Sequence, residues 1–249
     1  MAPAVLFRAA VALAGRFPAL AGVDLVVAPG DVVVLEGPNG AGKTSLLRAG
    51  AGLLAVTEGE AVVLGHDLRR DRVGVRRRVG LLGHDAALYD DLTVAENVRF
   101  ALRSRAGRAG CRSGTAARGA DEALERLGLV GRLRDTPAGR LSAGQRRRVA
   151  LAVLVARGPE LWLLDEPHAA FDEGGRLVVD EIVRDAAGEG AAVVLASHEP
   201  AMSAPLATRI VSMAGGRVVS EIDLGRRQAT GGGAAVDPEA PVRGGVHVA

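Results

Sequence analysis

The sequence predicts an α/β protein built on a parallel β-sheet, because short apolar strand-like runs alternate with helical segments along its 249 residues. One run leads into a glycine-rich loop, Gly37–Thr44, and another, Leu161–Leu164, ends in two carboxylates. The helical block between them is too long for a simple crossover connection. We therefore expect a helical subdomain, over about residues 85–156, inserted into the sheet-based core.

Local patterns predict the strands. The segment Val23–Glu36 holds two β-branched runs separated by an Ala-Pro-Gly-Asp turn, and it predicts two strands. An antiparallel edge is expected from the N-terminal strands. Further strands are predicted at Ala61–Leu64, Val79–Leu82, Leu161–Leu164 and Ala191–Ala196.

Helix signals dominate the middle of the chain. Thr93 and Glu96 form a capping-box pattern ahead of apolar residues at helical spacing. A second amphipathic stripe, Ala120–Leu127, precedes a glycine that suits a helix end. Arg, Gly and Ser dominate residues 104–119, which predicts a loop. One domain is expected over 1–225, followed by a disordered tail over 226–249, which is rich in Gly, Ala, Pro and Arg.

Composition limits the partners, the covalent cross-links and the membrane segments that can be expected. The near balance of charges, +2 overall, gives no reason to expect the dense basic face that nucleic-acid binding usually needs, so no nucleic-acid partner is expected. Cys111 is the single cysteine, which excludes an intramolecular disulfide and suits a reducing compartment. Charge-free apolar runs such as Val149–Ala156 are far shorter than a bilayer span, so any membrane role is expected to come through a partner.

The glycine-rich loop has the Gly-x-x-x-x-Gly-Lys-Thr pattern of a phosphate-binding loop. With the adjoining serine, it comprises Gly37, Pro38, Asn39, Gly40, Ala41, Gly42, Lys43, Thr44 and Ser45. Glycines let backbone N–H groups curl around a phosphate, and the following helix adds its positive dipole end. Lys43 is expected to reach the β- and γ-phosphates, and the Thr44 hydroxyl to ligate Mg²⁺. The strand before the loop and the helix after it disfavour a plain glycine-rich turn.

Lys43 is the only lysine in the chain; the other 30 of the 31 basic residues are arginines. A lone lysine among arginines indicates a position that needs a compact ammonium. GTPases usually read guanine with an Asn-Lys-x-Asp motif, which would require a second lysine. The sequence therefore favours ATP, with Mg²⁺, as the nucleotide.

Two carboxylates, Asp165 and Glu166, follow the buried-type strand Leu161–Leu164. Asp165 at the strand tip is expected to hold Mg²⁺, directly or through water. Glu166 is expected to polarise the water that attacks the γ-phosphate. An acidic turn before proline is common by itself, so this pair gains meaning only beside the phosphate loop.

The segment Leu141–Gln145 reads Leu-Ser-Ala-Gly-Gln and also forms a capping-box pattern. It stands between the phosphate loop and the acidic strand, and it closely resembles the Leu-Ser-Gly-Gly-Gln signature of ABC ATPases. The resemblance covers about residues 5–222. It implies that Ser142, Gly144 and Gln145 face the γ-phosphate held by a second ATPase subunit, with a homodimer expected.

Three further positions resemble elements of that family. Pro167–Asp172 resembles the D-loop, with Asp172 as its aspartate. His198 follows a strand and resembles the switch histidine that contacts the γ-phosphate. Phe17 is the candidate for the aromatic that stacks on adenine, with plain core packing as the alternative.

His84 stands after Val79–Leu82, where ABC ATPases usually carry glutamine. This Gly-His pair, together with Leu-Ser-Ala-Gly-Gln followed by Arg146–Ala152, resembles the haem-exporter ATPase of cytochrome c biogenesis. One interpretation is a functional change, because histidine titrates near neutrality and glutamine does not. A neutral substitution in a tolerant loop is an equally open interpretation.

The resemblance implies an ATPase subunit, peripheral on the cytoplasmic face of the membrane, that drives integral permease subunits. Haem export is the favoured cargo. An exporter ATPase for drugs, lipids or polysaccharide is the first alternative. A soluble ABC ATPase acting on ribosomes or DNA is disfavoured, because the chain has neither a second ATPase domain nor a long coiled coil.

Overall fold

The computed structural model describes residues 2–83, 86–106, 119–169, 171–198 and 203–225. The strands are β1 (Val5–Ala14), β2 (Phe17–Val27), β3 (Val32–Glu36), β4 (Val56–Val63), β5 (His66–Asp67), β6 (Val79–Leu82), β7 (Leu161–Asp165), β8 (Ala192–Ala196), β9 (Arg209–Ala214) and β10 (Arg217–Asp223). The helices are α1 (Lys43–Gly50), α2 (Arg72–Arg76), α3 (Val94–Ala106), α4 (Ala120–Arg126), α5 (Ala143–Arg157) and α6 (Glu173–Gly188). Short 3₁₀ turns lie at Gly131–Asp135, Ala138–Arg140 and Ala204–Leu206.

Two sheets form the core. The larger has the order β10-β9-β3-β8-β7-β6, and every neighbouring pair is parallel except β9 with β10. The smaller has the order β2-β1-β4-β5 and is antiparallel throughout. This arrangement confirms the predicted α/β class with an antiparallel edge.

The central strands are buried on both faces. In β3, Val32 and Val34 pack into the cluster that includes α5 and α6, whereas Val33 and Leu35 pack against α1 and the antiparallel sheet. Burial on both faces explains why these strands read as continuous apolar runs with no polar alternation. The parallel sheet is therefore the middle layer, with α1 and the antiparallel sheet on one side and α5 and α6 on the other.

Helices α3, α4 and α5 pack on one another through buried residues such as Val98, Leu124 and Leu151. The capping box at the head of α3 is confirmed. The Thr93 N–H donates to Glu96 Oε2 at 2.8 Å, and the Glu96 N–H donates to Thr93 Oγ1 at 3.2 Å. The proposed helical subdomain corresponds to this group of helices.

Some predicted boundaries were wrong. Helix α3 extends to Ala106, so the first three residues of the predicted loop over 104–119 are helical, and 107–118 lie outside the described residues. Leu64 was placed in a strand, but its φ of 49° puts it in the turn after β4. The tail predicted over 226–249 also lies outside the described residues.

In the described ranges, the helices are all too short or too polar to cross a bilayer.

Candidate nucleotide-binding site

The loop between β3 and α1 depends on glycines with positive φ. Gly37, Gly40 and Gly42 have φ values of 137°, 80° and 104°. L side chains rarely adopt such values, so glycine keeps the backbone unstrained here. Helix α1 begins at Lys43 with Gly42 as its N-cap, so its first N–H groups receive no side-chain cap. Unpaired amides at a helix N-terminus form a natural anion site.

Two of these glycines are also enforced by close packing. A Cβ on Gly37 would lie 2.2 Å from the Met213 carbonyl oxygen, and one on Gly42 would lie 2.9 Å from the Ala19 carbonyl oxygen. Backbone atoms cannot give way as flexible side chains can. The loop is therefore held against β9 and β2, and a side chain at either glycine would displace it.

Lys43 reaches back over the loop. Its Nζ donates to the carbonyl oxygens of Gly37 at 2.6 Å and Pro38 at 3.2 Å, and the residue is buried. The ammonium is thus held inside the curve of the loop, where a phosphate oxygen could replace one of the carbonyl acceptors. No other lysine exists in the sequence.

Thr44 and Asp165 meet although they lie far apart in the chain. The Thr44 hydroxyl donates to Asp165 Oδ2 at 2.8 Å, and Asp165 is buried at the end of β7. Hydroxyl and carboxylate oxygens are hard ligands of the type that Mg²⁺ prefers. Among the described residues, no cluster of three or more His, Cys, Asp or Glu could hold a metal ion. Mg²⁺ commonly takes only one or two protein ligands and completes its shell with phosphate and water, so this pair fits it.

Glu166 lies next to Asp165 and contacts His198. Its Oε2 is 2.7 Å from His198 Nδ1, and the Glu166 backbone has a φ of 50°. A non-glycine residue in this left-handed region is strained, and such strain is concentrated at functional sites. The turn aims the Glu166 side chain toward the histidine that follows β8.

A cavity of about 600 Å³ lies between the phosphate loop and the two carboxylates, and His198 is not part of its lining. Its lining consists of the phosphate loop, the two carboxylates and two flanking turns: Pro18, Ala19, Asn39, Gly40, Ala41, Gly42, Lys43, Thr44, Ser45, Asp165, Glu166, Gly215 and Gly216. Phe17 borders this lining and is 79% exposed, which excludes the alternative of core packing. Its exposed ring is free to stack on a ligand.

The Gly215-Gly216 turn is a part of the site that the sequence reasoning missed. The Gly216 N–H donates to the Ala41 carbonyl at 2.9 Å, and the Gly216 carbonyl accepts from the Ala21 N–H at 2.8 Å. The turn therefore joins the phosphate loop to β2. A Gly-Gly pair between two β-branched runs is a hairpin signal that could have located it.

The signature segment lies apart from this cavity in the described part of the chain. Ser142 is exposed at the head of α5, and its Oγ accepts from the Gln145 N–H at 3.2 Å. The Ser142 N–H donates to Gln145 Oε1 at 2.9 Å, which confirms the capping box. Neither residue, nor Gly144, lines the cavity of its own chain.

Asp172 caps a helix. Its Oδ1 accepts from the Gly175 N–H at 3.0 Å and lies 3.4 Å from an Arg148 nitrogen, so it joins the head of α6 to α5. His84, the predicted departure from the family, lies outside the described residues.

The sequence model of the ABC transporter family matches the chain over residues 20–169. The chain is 40% identical over 223 residues to the daunorubicin resistance ATP-binding protein DrrA3 of Streptomyces coeruleorubidus, covering 90% of this chain and 69% of that protein. It is 38% identical over 193 residues to the cytochrome c biogenesis ATP-binding export protein CcmA of Pseudomonas fluorescens, covering 77% of this chain and 87% of that protein.

A solved structure is also similar. The dimeric ATP-binding cassette MJ0796, in a post-hydrolysis state bound to ADP and Pi, superposes with a TM-score of 0.77 at 26% sequence identity. The superposition covers 88% of this chain and 98% of MJ0796.

Lys43→Ala is expected to lower the rate of ATP hydrolysis by about 100-fold or more and to weaken ATP binding, because the ammonium of the loop is lost. Lys43→Arg should also impair hydrolysis, since a guanidinium differs in shape and hydration. Phosphate release and titration with a fluorescent ATP analogue measure the two effects.

Arg48→Ala is the matched control, because Arg48 is exposed on the same helix. It should behave like the wild type. Wild-type turnover in Lys43→Ala would contradict the assignment of this loop to phosphate.

Proposed function

The chain belongs to the ABC transporter ATP-binding family and is an ATPase, and we propose that it powers export through a separate membrane permease. The observation that carries this proposal is the meeting of three groups at one cavity, which Lys43, Thr44, Asp165 and Glu166 line and which His198 approaches through its contact with Glu166. These are the phosphate loop with its buried Lys43, the Thr44–Asp165 pair, and the Glu166–His198 pair.

The loop and Lys43 would bind the β- and γ-phosphates of ATP, with Phe17 stacking on adenine. Thr44 and Asp165 would hold Mg²⁺, which neutralises phosphate charge during phosphoryl transfer. Glu166 would orient and polarise the attacking water, and His198 would contact the γ-phosphate from the end of β8. Apart from Phe17, these side chains lie at or just after the ends of β3, β7 and β8, so the parallel sheet fixes their separations.

Two copies would be needed for hydrolysis. Ser142 is exposed at the N-terminus of α5, a position suited to an anion, yet it does not line the cavity of its own chain. Ser142 of one protomer would therefore complete the phosphate loop of the other, as a homodimer. ATP would hold the two protomers together and hydrolysis would release them.

The permease would dock on the helical subdomain at about residues 84–91, ahead of α3. Tyr89 and Phe100 form an edge-to-face pair with ring centroids 4.9 Å apart, and both are largely exposed. Asn97 holds the Tyr89 segment by accepting from the Tyr89 N–H at 2.9 Å and donating to the Tyr89 carbonyl at 3.1 Å. A fixed, exposed aromatic pair is suited to an apolar partner surface. The protein would then be peripheral, on the cytoplasmic face of the membrane.

Haem for cytochrome c biogenesis is the proposed cargo. Support comes from the Gly83-His84 pair, the Leu-Ser-Ala-Gly-Gln signature, and the following arginine run with Val-Ala-Leu-Ala. The similarity to CcmA points the same way. Drug export is a second candidate, which the similarity to DrrA3 favours.

Glu166→Gln is expected to bind ATP without consuming it, because the amide keeps the side-chain shape but cannot accept a proton from water. Hydrolysis should fall by about 100-fold or more. The trapped protein should elute as a dimer from gel filtration in Mg-ATP and as a monomer without nucleotide.

Glu173→Gln is the control, since Glu173 is an exposed acid in the first turn of α6. It should hydrolyse ATP normally. A Glu166→Gln protein that binds ATP but stays monomeric would argue against the shared site.

Deleting the gene from its host is expected to deplete mature c-type cytochromes, because their assembly would lack exported haem. A wild-type copy should restore them, and a Lys43→Ala copy should not. Haem-stained gels of membrane fractions measure the effect. Unchanged cytochrome c content after deletion would exclude the haem cargo and leave the ATPase assignment standing.

A further inference from the structure

Arg147 is a buried arginine within the signature helix α5, and the family resemblance gives it no role. It is 8% exposed, whereas its neighbours Arg146 and Arg148 are partly exposed and pair with Asp90 and Asp172. Burying a guanidinium is costly unless its N–H groups are used. Its contacts therefore indicate what the residue does.

The guanidinium binds main-chain oxygens of the catalytic strand end. Nη2 donates to the Asp165 carbonyl and to the Glu166 carbonyl, each at 2.5 Å. Nη1 donates to the Gly83 carbonyl at 3.3 Å, at the end of β6. One side chain thus joins α5 to both carboxylate-bearing residues and to the segment that enters the helical region.

These bonds fall where the backbone is strained. Glu166 has a φ of 50°, and its N–H donates to the Ala196 carbonyl at 2.9 Å. A strained conformation persists only when its surroundings fix it from several sides. Arg147 donates charge-assisted hydrogen bonds to the Asp165 and Glu166 carbonyls, which lie on either side of the Glu166 N–Cα bond. It therefore fixes the φ rotation of Glu166 and with it the direction of the carboxylate.

The charge of Arg147 also fits this location. Burial lowers the pKa of its guanidinium, and the carboxylates of Asp165 and Glu166 oppose that shift. An arginine stays protonated even so, because its pKa in water is very high. The side chain therefore provides fixed donors and a fixed positive charge beneath the two acids.

We infer that Arg147 is a positioning residue that fixes the Glu166 turn and thereby ties the signature helix to the water-polarising carboxylate of the same protomer. The inference rests on the proposed role of Glu166. In a dimer, α5 presents Ser142 to the partner's nucleotide while its Arg147 holds Glu166 at its own nucleotide. A shift of α5 when one site closes would then move the catalytic turn at the other site.

Arg147→Met tests this directly, because methionine fills similar space without any N–H donor. We expect kcat for ATP hydrolysis to fall by about 10- to 100-fold, as a small misplacement of a catalytic group does. KM and the Kd for ATP should change by less than about twofold, because the phosphate loop is untouched. Arg147→Lys should recover part of the lost kcat, since an ammonium can still donate to one or two of the carbonyls.

Arg78→Met is the matched control. Arg78 is a partly buried arginine that is tied, like Arg147, to β7, but at the opposite end of the strand, where it pairs with Glu160 at 2.5 Å and donates to the Leu64 carbonyl at 2.8 Å. If loss of an arginine only loosened the fold, both variants would lose thermal stability and activity in parallel. We expect a selective fall in kcat for Arg147→Met alone.

Equal kcat values for Arg147→Met and Arg78→Met would overturn the inference, as would a parallel loss of kcat and ATP affinity in Arg147→Met. Neither result would touch the proposed function, which depends on hydrolysis by the wild-type protein. A wild-type protein that failed to hydrolyse ATP would instead remove the proposed function.

Discussion

The structure depends on the tight curve of backbone between β3 and α1. Gly37 and Gly42 adopt positive φ there and lie against the carbonyl oxygens of Met213 and Ala19. These neighbouring backbone atoms leave no room for a side chain, so the curve requires glycine at both positions. The turn at Gly216 closes the arrangement by donating to the Ala41 carbonyl. The close contacts that require glycine therefore also hold the loop in one conformation, which is suited to binding an anion.

The parallel sheet brings the remaining chemistry to this loop. Strands β3, β8 and β7 are consecutive neighbours with the same direction, so the residues that follow them meet at one edge. Lys43 follows β3, His198 follows β8, Asp165 ends β7 and Glu166 comes directly after it. The Thr44–Asp165 and Glu166–His198 contacts are consequences of that order. The signature at the head of α5 lies outside this edge. We therefore propose that the signature of a second protomer completes the nucleotide site.

Much of the core could be predicted because its strands are buried on both faces and read as apolar runs. The phosphate loop and the acidic pair were also predictable, since each residue type has a direct chemical reason. Helix α6 and strands β9 and β10 were missed; α6 has glycines in its first turn, and β10 is an exposed edge strand with weak apolar patterning. The contribution of Arg147 could not be predicted, because in the sequence it is one of three successive arginines. Only tertiary packing distinguishes the buried member from its neighbours.

Complementation between two inactive variants tests the central claim, that each nucleotide lies between two protomers. Lys43→Ala disables the phosphate loop, and Ser142→Arg blocks the signature. In a mixed dimer, the intact loop of the second variant faces the intact signature of the first. ATP hydrolysis should therefore return when the two proteins are mixed, although neither hydrolyses ATP alone. A mixture that stays inactive while native mass spectrometry detects mixed dimers would contradict the account.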